Sequence, residues 1–201
     1  MKIGIMGGTF NPIHNAHLLI AFFAREEFCL DKVIFMTGGN TPHKKAEGAE
    51  PEERLEMVKR AVADNRYFEV SDFEVKKQSR SYTVETLEYL KEEYPGSDFY
   101  FIVGSDSLNY MDKWYKCEKI FRLCTVLIFD RKGFAGSEKK RRELEVKYSA
   151  QIRRIDIPIP EISSSEIRKR IAAGKSVENI VPGPVIDYIK EKGLYEGQRG
   201  I

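Results

Sequence analysis

Apolar positions along this chain follow two rhythms, short continuous runs and helical stripes, and they alternate almost from end to end. KIGIM, residues 2–6, is rich in β-branched residues and bounded by Gly7-Gly8, which predicts a buried strand. From His14 to about Glu27 the residues Leu18, Leu19, Phe22 and Phe23 recur at helical spacing, so a helix is expected to begin near the histidines. KVIFMT (32–37) predicts a second strand. PEERLEMVKRAVAD (51–64) opens with a proline and acids suited to a first helical turn. FEVSDFEVKK (68–77) alternates and predicts one or two strands. SYTVETLEYLKEEYP (81–95) predicts a helix with Leu87 and Leu90 on one face, ended by Pro95-Gly96. DFYFIVG (98–104) and CTVLIFDR (124–131) read as buried strands, with a loop-helix segment carrying Trp114 between them. A charged helix (135–151), a strand in IRRIDIPIP (152–160) and two closing helices (163–175 and 182–195) complete the pattern.

Strands alternating with helices imply an α/β fold, a Rossmann-like parallel sheet with helices on both faces, here with a helical C-terminal end. Neither repeats nor a linker interrupt the pattern, so residues 1–201 are expected to form a single domain. In such sheets ligands bind beyond the carboxyl ends of the strands, which directs attention to the strand-to-helix loops.

Composition narrows the partners. A hydrophobic fraction of 42% and a charged fraction of 32% are ordinary for a globular protein. A formal net charge of +2 announces neither nucleic acid nor membrane, so any anion must be recognised locally. Basic stretches such as EKKRRELEVK are interleaved with acids and read as solvated helix faces. Cys29, Cys117 and Cys124 form no CxxC pair, which argues against a disulfide framework and a cysteine metal site and for a reducing compartment. The first apolar run is too short for a signal peptide, and no stretch of 18 apolar residues is present. The expected location is cytoplasmic.

The first strand-to-helix loop, GGTFNPIHNAH (7–17), carries the most chemistry. Gly7 and Gly8 suit a tight turn whose N–H groups approach an anion. That turn does not account for Thr9, Asn11, His14 or His17. His14 and His17 are three apart, so a shared helical turn puts them on one face. Imidazoles do not complement the positive end of a helix dipole, but a bound polyphosphate would reverse the local balance. His43, in the loop after the second strand, could complete a three-histidine zinc site, although no acid accompanies the histidines as a supporting group. GxGxxG with its later acid and the Walker GxxxxGK[ST] pattern are both absent, which disfavours hydride transfer and a P-loop.

ISSSEIRKR (162–170) supplies a second anion-friendly helix start. Ser163, Ser164 and Ser165 precede Glu166 as in a capping box, and Arg168 lies one turn on. Hydroxyls, free N–H groups, dipole and guanidinium all favour phosphate there, and Lys44 of TPHKK could add another positive contact. Two such sites on one sheet suit a polyphosphate whose charge redistributes during reaction.

GGTFNPIHNAH together with ISSSEIR resembles the nucleotidylyltransferase superfamily. GGTFNPIH, TPHKK, SYTVETL, GSDSL followed by KWY, and ISSSEIR, in order across nearly the whole chain, resemble more narrowly the bacterial nicotinate-nucleotide adenylyltransferases. The resemblance implies transfer of AMP from ATP to nicotinate mononucleotide, giving nicotinate adenine dinucleotide and pyrophosphate by direct in-line attack. It implies that His14 and His17 contact the ATP phosphates. Thr9 and the Phe10 backbone would help hold the reacting phosphates, and Lys44, Ser163, Ser164, Ser165 and Arg168 the polyphosphate. Gly104 and Asp106 would line the nucleotide site. Trp114 would stack on the pyridine ring, with backbone N–H groups near Thr83 and Tyr115 on its carboxylate. Mg²⁺ would be bound mainly through phosphates and water. The family glycine at the third position of its H-x-G-H pattern is Ala16 here, a change that matters only if the position needs φ > 0. A related enzyme using nicotinamide mononucleotide or phosphopantetheine, and a non-catalytic nucleotide-binding module, are the alternatives. The apolar C-terminal helix packs either on the core or on another subunit.

Overall fold

In the computed structural model, which describes residues 1–39, 48–77, 81–130, 137–156, 160 and 162–197, six strands share one sheet. They are β1 (Lys2–Gly8), β2 (Lys32–Thr37), β3 (Phe68–Ser71), β4 (Asp98–Gly104), β5 (Cys124–Phe129) and β6 (Ile152–Ile155). The order across the sheet is β3-β2-β1-β4-β5-β6. Pairing is parallel, with Ile3 opposite Phe99, Ile102 opposite Leu127 and Ile128 opposite Arg154. Winding reverses between β1 and β4, which is where open α/β sheets place ligands. The α/β expectation thus stands as the observed architecture.

The helices are α1 (Asn15–Phe28), α2 (Pro51–Val62), α3 (Phe73–Lys76), α4 (Thr83–Glu93), α5 (Ser105–Leu108), α6 (Cys117–Leu123), α7 (Ser137–Tyr148), α8 (Ser164–Ala172) and α9 (Gly183–Lys192), counted among the described residues. A 3₁₀ turn, Met111–Lys113, precedes α6. The C-terminal end is helical, as expected.

Contacts divide the chain into two compact units, one of residues 1–7, 20–34 and 81–159, the other of 8–19, 35–80 and 160–201. In the first, Ile3, Ile5, Phe99, Ile102, Val126 and Leu127 are buried strand residues. Parallel strands covered on both faces lose the period of two, which is why DFYFIVG reads as one apolar run. In the second, Phe35 meets Phe68 edge-on at 5.2 Å, while Met57 and Val58 of α2 are buried. Arg60 of α2 lies 4.4 Å over the Tyr188 ring of α9, so the C-terminal helix packs within its own chain.

FEVSDFEVKK departs from expectation in its second half. The Ser71 hydroxyl accepts from the Phe73 N–H, ending the strand, and Lys76 pairs with Asp72 at 2.8 Å across one helical turn. Those local bonds favour α3 over a second strand. The last strand stops at Ile155, and residues 157–159 lie outside those described. Trp114 sits between the 3₁₀ turn and α6, on neither helix.

Candidate active site

The opening loop is built around Phe10. Its φ of 49° is unusual for a side-chain-bearing residue and turns the ring inward beneath Gly8. A Cβ on Gly8 would meet that ring at 2.9 Å, so the position requires glycine. The Phe10 ring then packs 5.9 Å from Phe35 and edge-on, at 5.1 Å, against His17. Beyond the backbone role expected of it, Phe10 is therefore a wedge whose ring packs against an imidazole.

His14 and His17 do share one face at the start of α1. Their rings stack at 3.7 Å with an interplanar angle of 22°. The His14 N–H donates to His17 Nδ1 at 3.2 Å. That bond requires an unprotonated Nδ1, so neutral His17 carries its proton on Nε2 and presents it as a donor. His14 is 4% exposed, whereas His17 is half-buried. Ala16, the second residue of α1, is buried and has no positive φ, so alanine fits without strain. The N-terminal turn is anchored by Asn15, whose N–H and side-chain amide donate to Ile180 and Asn179 carbonyls at 2.9 Å.

The second motif is joined to the first. Ser163 is the N-cap of α8, and its hydroxyl accepts from the Glu166 N–H at 3.2 Å. The Ser164 hydroxyl donates to the Pro12 carbonyl at 2.9 Å, and Arg168 Nη1 to the Asn11 carbonyl at 2.8 Å. Two members of ISSSEIR thus brace the histidine loop, a task that residue types alone do not announce. Ser165 is exposed and, with Arg168, Lys169, Gly48 and Tyr195, lines a cavity of about 550 Å³. Lys44 and His43 lie outside the described residues. Among the described residues no three His, Cys, Asp or Glu side chains cluster as a metal site.

Two residues of this unit, Arg54 and Tyr195, escaped sequence reasoning, and Asn11 was singled out there without a role. Arg54 of α2 is 2% exposed and donates to the Thr9, Gly38 and Gly39 carbonyls at 2.7, 2.8 and 3.5 Å. Burial lowers its pKa, although the guanidinium stays charged. Its only signal was a cation at an apolar position of an amphipathic helix. Asn11 Oδ1 accepts from the Tyr195 hydroxyl at 2.7 Å and from the Ala49 N–H at 3.2 Å. Burial raises the Tyr195 pKa, which keeps the donated proton in place. No local pattern links residues so distant.

The other unit holds the remaining predicted residues. Gly104 ends β4, and the Asp106 side chain folds back over it, into space that a Cβ there would contest. Thr83 is the first residue of α4, where N–H groups lack intrahelical partners. Tyr82 and Tyr115 rings lie 4.7 Å apart, which brings SYT and KWY together. Trp114 is half-buried, edge-on to Phe101 at 6.2 Å, and borders a cavity of about 670 Å³ with Lys116, Lys119 and Arg122. Asp112, two residues earlier, is bonded by Lys140 at 2.9 Å, which holds its carboxyl below the usual range. A larger cavity, about 920 Å³, opens at the amino ends of β4 and β5 and contains none of the predicted site residues.

Comparison with known proteins shows the family and the fold. A family profile described as cytidylyltransferase-like matches residues 5–170. A probable nicotinate-nucleotide adenylyltransferase of Clostridium botulinum is 43% identical over 196 residues, 96% of this chain and 98% of that protein. One of Caldicellulosiruptor bescii is 42% identical over 197 residues, 98% of this chain and all of that one. In fold, the chain resembles the solved Plasmodium falciparum nicotinic acid mononucleotide adenylyltransferase complexed with NaAD. The TM-score is 0.81 at 24% identity, over 96% of this chain and 97% of that one.

Proposed function

The chain belongs to the cytidylyltransferase-like family and, within it, to the nicotinate-nucleotide adenylyltransferases, and we propose that it transfers the AMP moiety of ATP to nicotinate mononucleotide. The products are nicotinate adenine dinucleotide and pyrophosphate, and residues 1–201 act as one nucleotidylyltransferase domain. The observation that carries the reading is the stacked His14–His17 pair on a loop braced by Ser164 and Arg168. That loop offers hydrogen-bond donors and no carboxylate. A phosphate monoester has a second pKa near 6, so the nucleophile is already mostly ionised at neutral pH and needs no general base. Positioning and charge stabilisation are then the enzyme's task.

In this reading Gly7, Gly8, Thr9 and the Phe10 N–H cradle phosphate, and His17 Nε2–H donates to the oxygen on which charge develops. His14 sets the orientation of His17 and adds polarity beside it. Ser163, Ser165 and Lys44 engage the polyphosphate, as does any capacity of Ser164 and Arg168 beyond their loop bonds. Gly104 and Asp106 face the nucleoside, and Trp114, Thr83 and Tyr115 the pyridine ring and its carboxylate. The donor set is rich in N–H and O–H groups and poor in acids, which suits Mg²⁺ held by phosphates and water rather than by a protein cage. Bound that way, Mg²⁺ supplies neutralisation of phosphate charge. Cys117 and Cys124 are buried free thiols, Cys29 is an exposed one, and burial pushes Cys124 up to about 12, which leaves it unsuited to nucleophilic chemistry. No described helix is long and apolar enough to cross a membrane.

Pyrophosphate release, measured with ATP and each of nicotinate mononucleotide, nicotinamide mononucleotide and phosphopantetheine, tests the assignment. Nicotinate mononucleotide is expected to give the highest kcat/KM. Equal or better performance by another acceptor would refute the substrate assignment, and no release with any of them would refute catalysis.

A further inference from the structure

Arg54 is a buried cation whose compensation is incomplete. Its hydrogen-bond partners among the described residues are three backbone carbonyls; Glu52 and Glu50 act on it electrostatically, but neither forms an ion pair with it. Its Nε is buried without a hydrogen-bond partner. Buried charge is ordinarily paired, and an unsatisfied buried donor calls for a reason. The three carbonyls come from two separate strand-to-helix loops, Thr9 after β1 and Gly38-Gly39 after β2. The Gly38 N–H donates to the Gly8 carbonyl at 2.9 Å, so these loops already touch. A Cβ on Gly39 would fall 2.2 Å from the Glu74 carbonyl oxygen, so the second loop has little room to shift.

Peptide planarity supplies the consequence. In a trans peptide the C=O and the following N–H point in opposite directions. With the Thr9 carbonyl drawn to Arg54, the Phe10 N–H is turned away from it. Likewise, capture of the Gly38 carbonyl turns the Gly39 N–H away. Neither of these N–H groups has a hydrogen-bond partner among the described residues. Nη1 alone donates to the Thr9 and Gly38 carbonyls, one on each loop, and the planar fork adds Nη2 toward Gly39; a lysine ammonium has donors for such bonds but not the fixed directions of the fork.

We propose that Arg54 is the positioning residue of the phosphate cradle. By holding the Thr9, Gly38 and Gly39 carbonyls it aims the Phe10 and Gly39 N–H groups at the polyphosphate, and that anion completes the balance of its charge. The inference rests on the adenylyltransferase reading for the identity of the anion. It places the support of the cradle on α2, outside both recognisable motifs.

The first test uses the unaltered protein. In ¹⁵N-labelled protein titrated with inorganic pyrophosphate, the amide resonances of Phe10 and Gly39 and the Arg54 Nε–H resonance are expected to move together with one Kd. Stationary Phe10 and Gly39 resonances at saturating pyrophosphate, or no binding, overturn the proposal. The second test is kinetic. Arg54→Met is expected to lower kcat about 100-fold with KM for nicotinate mononucleotide within about 3-fold, and Arg54→Lys to recover about 10-fold of the loss. A folded Arg54→Met protein with the parent kcat overturns the proposal. If that variant does not fold, the titration decides: an Arg54 Nε–H resonance that does not move with the Phe10 and Gly39 amides overturns the positioning role. Failure of the substrate reading is distinguishable. It leaves the unaltered protein inactive on nicotinate mononucleotide while the pyrophosphate-dependent shifts remain.

Discussion

The bond from the His14 N–H to His17 Nδ1 decides what the second imidazole can offer. With Nδ1 occupied as an acceptor, the neutral ring has its Nε2–H to donate, which in the proposed reading suits an oxygen gaining negative charge. Removing one such donor costs roughly 10²–10³ in rate. His17→Ala is therefore expected to lose about that much kcat while ATP binding is partly kept, as read by pyrophosphate release and a direct binding titration. Unchanged turnover would remove the proposed role. Phe10 shows why spacing alone understates a site. HxxH was visible in the letters, but the aromatic wedge that fixes His17 depends on a φ of 49° that no side-chain pattern encodes.

Helix α8 does two jobs with adjacent hydroxyls, Ser163 capping the helix and Ser164 bracing the loop. Ser163→Ala should cost about 1 kcal/mol, lowering Tm by roughly 2–4 °C in a protein of this size. Thermal unfolding followed by circular dichroism checks this, and an unchanged Tm would show that the cap contributes little. Legibility followed the same division between local and distant causes. β2 and β4 match their apolar runs end to end, because a doubly covered strand leaves no polar position to blur its limits. FEVSDFEVKK misled because Ser71 and the Asp72–Lys76 pair outweigh an alternation only a few residues long. The two anion motifs were readable because caps and histidines have local meaning. Arg54 was not, because a cation in a stripe reads as a solvated face unless its carbonyl partners are known. The Ser164 and Arg168 bonds to Pro12 and Asn11 likewise join residues more than 150 positions apart, beyond any periodicity.

Taken as a single body of charge, the protein is nearly balanced at +2, so in the proposed reading ATP affinity rests on a few fixed donors rather than on a broad positive field. Binding at such a site stabilises the folded state by mass action, about 2.7 kcal/mol at 100 times Kd. For this length that corresponds to a rise in Tm of roughly 5–10 °C, measurable by calorimetry with ATP, and no rise at saturation would argue against a preformed site. The bond between Asn11 and Tyr195 also gives the site a place in time. Those residues stand 184 positions apart, so on a ribosome adding about 5–20 residues per second they are made roughly 10–40 s apart. The histidine loop is thus made well before one of the bonds that secures it. A chain that stalls before α9 carries the histidines and the Ser164 and Arg168 braces but lacks the Tyr195 hydroxyl, so its loop is held one bond short of the folded protein's.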